Sequence, residues 1–312
     1  MNRNVANIIH EIEKVVVGKQ SVIEKILTTI IANGHILLDD VPGIGKTTIA
    51  VALSRSLGLT FGRIQFTPDV LPSDITGFTM YNKEQDAFIY KPGIAVGVNM
   101  LLGDEINRTS SKTQSALLEA MEEGQVTVDG ASHVLKTPFI VIATQNNVGT
   151  AGTQLLPYAQ LDRFLMKLTI GYPDRQHEMD VIRGRQTMNP MDNVICVSSV
   201  ENVVQMQEDA KHMIVKDSII DYITRLAETS RNHELLALGI SPRGSLFVNK
   251  TAKARAYVKG RDYVLPEDVQ AVFVDVCAHR VVCRQQAVMQ KVTVQQILND
   301  LLKDTHVPDT MV

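Results

Sequence analysis

Apolar residues recur at helical spacing twice at the start of the chain, over 4–14 and 19–32, joined by the short segment VVVGKQ. The pattern then changes. Ile36, Leu37 and Leu38 form a continuous apolar run that predicts a buried strand at 35–39, followed by a helix at 46–57. Similar runs predict strands at 61–66 (FGRIQF), 99–105 (NMLLGDE), 138–146 (PFIVIATQN) and 163–170 (RFLMKLTI). A helix at about 110–123 has Ser110 or Ser111 as its cap. Two hairpins are expected. One lies around FTMYN and AFIYK in a turn-rich stretch, and the other is QVTVDGASHVLKT, with Asp129-Gly130 between its arms.

Strands and helices alternate through residue 170, which predicts an α/β layer with a mostly parallel five-stranded sheet. After GYPDRQ the period is helical nearly throughout: 174–187, 199–211, 216–232, 242–258, 266–282 and 293–303. The expected organisation is an α/β core over 1–187 and an all-helical domain over 188–312, with MNPMDNVICVSS as the linker. No internal repeat or low-complexity tract interrupts it.

Composition narrows the function classes. A hydrophobic content of 45% over 312 residues supports a large core, and the absence of Trp makes it mainly aliphatic. The net charge of −3 argues against a generally basic nucleic-acid binder. Cys196, Cys277 and Cys283 are odd in number and lack metal-ligand spacing, as expected of free thiols in a reducing compartment. Glu11 and Glu13 interrupt the apolar pattern of the first segment, so it reads as an amphipathic helix rather than a signal peptide. No apolar run approaches the roughly 18 residues needed to span a bilayer. The expected location is the cytoplasm.

The chemistry begins at ILLDDVPGIGKTTIA, residues 36–50. It follows the phosphate-binding pattern G-x-x-x-x-G-K-[ST], except that Asp40 replaces the first glycine. Pro42 and Gly43 make the turn, Ile44 follows, and Gly45 lets the backbone approach a phosphate. Lys46 reaches the terminal phosphates and the Thr47 hydroxyl can ligate Mg²⁺. The helix that starts there, with Thr48 in its first turn, offers N–H groups and its positive dipole end to the anion. Asp40 costs backbone freedom rather than a ligand, although a carboxylate near a polyphosphate is mildly unfavourable.

Hydrolysis needs more than a cradle. Asp104 and Glu105 end an apolar run, and alternation points neighbouring side chains in different directions. One carboxylate can then serve Mg²⁺ while the other orients and deprotonates water. Such a pair alone is usually a solvated turn; its place downstream of the loop favours function. Asn146, at the end of the next strand, emerges at the same sheet edge, where its amide can bond a phosphate and a water; as a bland alternative it is a turn residue. The eight histidines, His10, His35, His133 and His233 among them, show no ligand cluster, so no metal beyond Mg²⁺ is expected.

The segments VPGIGKT, RIQFTPDVLPSDITG, LLGDEINR, ATQNN, LPYAQLDRFLMKLTIGYP and SPRGS closely resemble the MoxR AAA+ ATPases, over about residues 5–305. The resemblance implies a P-loop NTPase core with a helical lid, binding ATP and Mg²⁺. Lys46 and Thr47 are then Walker A, Asp104 and Glu105 Walker B, Asn146 sensor 1, Arg163 the arginine finger and Arg243 sensor 2. It also implies that VVVGKQ lies against adenine through Val17 and Gly18, that 67–98 is the helix-2 insert, and that 125–137 is the pre-sensor hairpin. An acidic residue at position 40 is common in that family, whereas Gly103 replaces a frequent Ala and Asn147 a frequent Pro. Without the resemblance, Arg163 reads as a surface residue paired with Asp162, and Arg243 as a solvated residue. Whether Arg243 acts within its own subunit or across an interface is open.

By the same resemblance the chain forms a ring, a hexamer, and remodels client proteins with a von Willebrand factor A domain partner. A chelatase motor subunit is an alternative. A nucleic-acid motor is a weaker one, resting on the basic segment 243–261, whose cations share no single helical stripe and no aromatic platform.

Overall fold

The computed structural model describes residues 1–146, 156–184, 186 and 189–308. Two amphipathic helices, α1 (Arg3–Glu13) and α2 (Gln20–Ile31), bury Ile8, Ile9, Ile12, Ile23, Ile26 and Ile30 in the hydrophobic core. Next come β1 (Ile36–Asp39), α3 (Lys46–Leu57), β2 (Phe61–Gln65), α4 (Pro72–Thr76), β3 (Gly77–Asn82), β4 (Ala87–Pro92), β5 (Met100–Asp104) and α5 (Ser111–Glu123). The α/β part continues with β6 (Gln125–Val128), β7 (Ala131–Val134), β8 (Ile140–Gln145), α6 (Tyr158–Leu161) and β9 (Met166–Leu168).

The main sheet runs β2-β5-β8-β1-β9 and all its pairings are parallel. Both faces are covered, which is why its central strands read as unbroken apolar runs. Alternation sends Ile36, Leu38, Leu102 and Ile142 into one apolar cluster and Leu37, Leu101, Val141 and Ala143 into another. Register then fixes the chemistry, with Asp39 opposite Gln145 and Gln65 opposite Asp104. The C-terminal ends of β1, β2, β5 and β8 therefore reach the same edge of the sheet.

Gly103 has a local reason: an added methyl group would lie 2.9 Å from the fully buried Phe66 ring. Asn147, the other departure from the family pattern, lies outside the described residues. Both expected hairpins form, β3 with β4 and β6 with β7. Asp129 and Gly130 take the positive φ values that their two-residue turn requires. Tyr90 stacks on His133 at 3.6 Å and so joins the two hairpins.

The C-terminal region holds α7 (Arg175–Gly184), α8 (Val200–Lys211), α9 (Asp217–Arg231), β10 (Leu236–Leu238), α10 (Pro242–Val258), α11 (Pro266–Cys277), β11 (Val282–Cys283), α12 (Gln285–Met289) and α13 (Val294–Asp304). The all-helical expectation needs a correction, because β10 and β11 pair antiparallel. Strands this short carry no readable alternation. The helix expected over 266–282 stops at Cys277, and His279 and Arg280 turn inward to bond the chain around Phe164. The boundary expected at 187 and 188 lies outside the described residues. One apolar cluster runs from the sheet through α1 and α2 into α8, α10 and α11, so the two parts share a core. Among the described residues, no helix is long and apolar enough to cross a membrane.

Candidate nucleotide site

The loop between β1 and α3 has the backbone geometry that an anion cradle requires. Gly43 and Gly45 have φ of 84° and 92°, a region that side chains disfavour. An added Cβ at Gly43 would meet nothing within 4 Å, and at Gly45 only Thr48 at 3.9 Å, so open space lies over both. Gly45 caps α3 without a side-chain hydrogen bond, which leaves first-turn N–H groups for a ligand. The Lys46 ammonium is buried and donates to the Asp40 carbonyl (2.6 Å), the Gln145 carbonyl (3.3 Å) and Asn146 Oδ1 (2.7 Å). Burial holds its pKa below the usual lysine value. All three donors thus rest on neutral acceptors, against which phosphate oxygens compete with full charge.

Asp40 behaves differently from its sequence expectation. Its carboxylate does not compete for the cradle: Oδ1 accepts from the Val41 N–H (2.8 Å), and Oδ2 from the Ile170 and Gly171 N–H groups (2.7 Å each). The residue that departs from the glycine pattern clamps the loop to the chain leaving β9. Asp40→Gly, which restores the motif glycine, is expected to lower unfolding free energy by about 3 kcal/mol, because charge-assisted bonds are lost and backbone entropy is added. Denaturant midpoints at constant slope measure this; an unchanged midpoint would remove the clamp.

Opposite the loop, the Thr144 hydroxyl donates to Asp104 Oδ1 (2.6 Å), and Arg63 pairs with Oδ2 (2.8 Å). Glu105 has φ 57°, a strained value for a side-chain-bearing residue. Its Oε1 accepts from Asn146 Nδ2 (2.5 Å), and its Oε2 from Arg108 (2.6 Å) and Gln65 (3.0 Å). A cavity of about 350 Å³ gathers Pro42, Gly43, Gly45, Lys46, Thr47, Thr48, Asp104, Glu105 and Asn146, with Gln65 added. Nine of the candidate residues therefore meet in one place. Gln65, Arg63 and Arg108 were not anticipated; only the register of β2 on β5 could have signalled Gln65 and Arg63.

A second cavity, of about 310 Å³, continues from the turn. Val17 and Ile44 line it together with Val15 and Val16, and Tyr172, Pro173, Val181 and Ile182 close it from the far side. Its apolar walls beside a phosphate cradle suit a planar base. Gly18 does not line it. With φ 72°, Gly18 abuts His177, where an added Cβ would come within 2.5 Å, so its smallness lets α7 approach. The four residues on the far side fall where the sequence suggests only the end of the core.

Arg163 and Arg243 sit elsewhere. Arg163 Nη1 donates to the Leu118 carbonyl (2.8 Å) and pairs with Glu122 (3.0 Å). Arg243, in the first turn of α10, pairs with Glu122 (3.1 Å) and with Asp162 (3.6 Å). Asp162 is bonded by Arg280 and not by Arg163, which corrects the simple surface pairing. Both arginines line a third cavity, of about 400 Å³, and neither borders the cradle. Among the described residues, no group of three or more His, Cys, Asp or Glu gathers at metal-binding distance.

The ATPase family associated with various cellular activities (AAA) matches residues 35–166, and the AAA lid domain matches 228–301. The chaperone MoxR1 of Mycobacterium tuberculosis is 38% identical over 96% of this chain and 81% of its own length. The chain belongs to the MoxR family of AAA+ ATPases. The uncharacterized protein YeaC of Bacillus subtilis is 44% identical over 96% of this chain and 93% of its own. A crystal structure of a candidate ATPase from Cytophaga hutchinsonii superposes with a TM-score of 0.90 at 36% identity, covering 98% and 95% of the two chains. This MoxR-family protein is accordingly an ATP hydrolase, with a five-stranded α/β core and a helical lid.

Proposed function

We propose that this MoxR-family ATPase works as a ring, a hexamer, in which neighbouring copies complete each other's nucleotide sites. The observation that carries the reading is the separation of two sets of side chains. One cavity holds Lys46, Thr47, Asp104, Glu105 and Asn146, while Arg163 and Arg243 share another. A chain that supplies cradle and base but turns both arginines elsewhere needs a second copy to stabilise the transition state. Arg243 thus acts across the interface alongside Arg163.

Within the site, Lys46 and the N–H groups of the loop bind the β- and γ-phosphates. The adenine lies between Val17, Ile44 and Tyr172, and Gly18 lets α7 close over it. The Thr47 hydroxyl and Asp104, the latter held by Thr144 and Arg63, would supply the hard oxygen donors that Mg²⁺ prefers. When bound, the ion neutralises charge developing on the phosphate oxygens. Glu105 takes a proton from the water that attacks the γ-phosphorus, as the bond to the ADP oxygen breaks. Asn146, hydrogen-bonded to both Lys46 and Glu105, holds that water against the phosphate.

The work is remodelling of client proteins in the cytoplasm, with a von Willebrand factor A domain protein as partner. The chaperone name of the Mycobacterium relative supports this reading. So do the exposed Phe78, Tyr81 and Phe88 of the β3–β4 hairpin, apolar surface suited to meeting another chain. We take 1–187 as the core, 188–312 as the lid, 67–98 as the helix-2 insert and 125–137 as the pre-sensor hairpin. The test is turnover per chain against protein concentration, followed by sedimentation. The rate is expected to rise steeply as rings assemble and again on adding a purified von Willebrand factor A domain protein. A constant rate down to the monomer would overturn the ring, and a rate indifferent to such proteins the partner.

A further inference from the structure

One acidic side chain stands between the two arginines, apart from the cradle and its catalytic groups. Glu122, on the last turn of α5, directs Oε2 at Arg163 (3.0 Å) and Oε1 at Arg243 (3.1 Å). Two guanidinium groups brought side by side repel each other, and both are partly exposed. A carboxylate sharing its oxygens between them cancels that repulsion and fixes both forks at once. The geometry does not use up the arginines. Arg163 keeps Nε and Nη2, and Arg243 keeps Nη1, without a hydrogen bond among the described residues.

We propose that Glu122 is a positioning residue, which holds Arg163 and Arg243 as a prealigned pair for the neighbouring subunit's phosphates. This rests on the reading that the arginines act across the interface. Prealignment removes the reorganisation that two mobile arginine side chains otherwise undergo as the transition state forms. Its loss should therefore lower kcat and leave nucleotide affinity nearly untouched. Glu122 is 38% exposed, so Glu122→Gln keeps the shape and removes the charge without opening the core.

The expected result for Glu122→Gln is a kcat at least tenfold lower, a KM for ATP within twofold of wild type and an unchanged melting temperature. Subunit mixing then places the lesion. A mixture of Arg163→Ala and Glu105→Gln comes first, because its recovery of activity tests the underlying reading alone. Glu122→Gln mixed with Glu105→Gln should also recover, since an intact base then faces an intact arginine pair. Glu122→Gln mixed with Arg163→Ala should not, since every arginine face is damaged. Wild-type turnover by Glu122→Gln, recovery only with Arg163→Ala, or recovery with neither partner would each overturn the role of Glu122, given that the first mixture recovers.

Discussion

Changing Arg163 to alanine is expected to leave ATP binding close to wild type and to slow hydrolysis by about a thousandfold or more. The expectation comes from its place. Arg163 borders no part of the cradle in its own chain, so ground-state affinity has little to lose. Its guanidinium is anchored at one nitrogen by the Leu118 carbonyl and Glu122, and the residue lines the cavity it shares with Arg243. A charge delivered only as phosphate charge redistributes lowers the barrier without tightening binding. Titrating Arg163→Ala against Glu105→Gln sharpens the result. In an equal, random mixture about a quarter of the head-to-tail interfaces join an intact Glu105 to an intact Arg163, so activity should peak near equal proportions. Turnover by Arg163→Ala alone at the wild-type rate would end the finger assignment.

Lys46→Ala and Glu105→Gln are expected to fail in opposite ways. Removing the Lys46 ammonium takes a buried positive charge from the phosphate site and weakens ATP binding by about a hundredfold or more. Glu105→Gln keeps the shape and one acceptor oxygen, enough for either Asn146 or Gln65, and is expected to retain affinity, but it cannot accept the proton, and turnover should fall by about 10² to 10⁴. Calorimetry with ATP separates the two; equal affinity for wild type and Lys46→Ala would sink the cradle assignment. Lys46→Ala also strips a donor from the Asp40 and Gln145 carbonyls, so a melting curve must accompany the measurement.

Much of the cradle was legible because it is local. A strand, a glycine turn and a helix start are consecutive in sequence, and α3 and α10 have the residue limits their apolar spacing implies. Asp104, Glu105 and Asn146 came from one further rule, that parallel strands share an edge. What escaped depends on pairing between distant segments. Arg63 and Gln65 look like ordinary residues of a strand until β2 is set in register on β5. Asp40 read as a mild liability because nothing local says that the end of β9 lies beside it. The far wall of the apolar cavity was missed for a similar reason: Tyr172 and α7 come after the last core strand in sequence yet fold back over the first turn. The inward turn at His279 and Arg280 carries no periodic signal at all.

That last turn has a mechanical consequence. Arg280 leaves the end of α11 only 2% exposed, pairs with Asp162 at 2.8 Å and also donates to the Phe164 and Leu165 carbonyls. Stripping a buried guanidinium of its carboxylate costs several kcal/mol, so the strap ties this part of the lid firmly to the chain around Phe164. The segment it holds is the one that carries Arg163. In the ring proposed above, each lid and the arginine it steadies for the next copy would move as one mechanical piece.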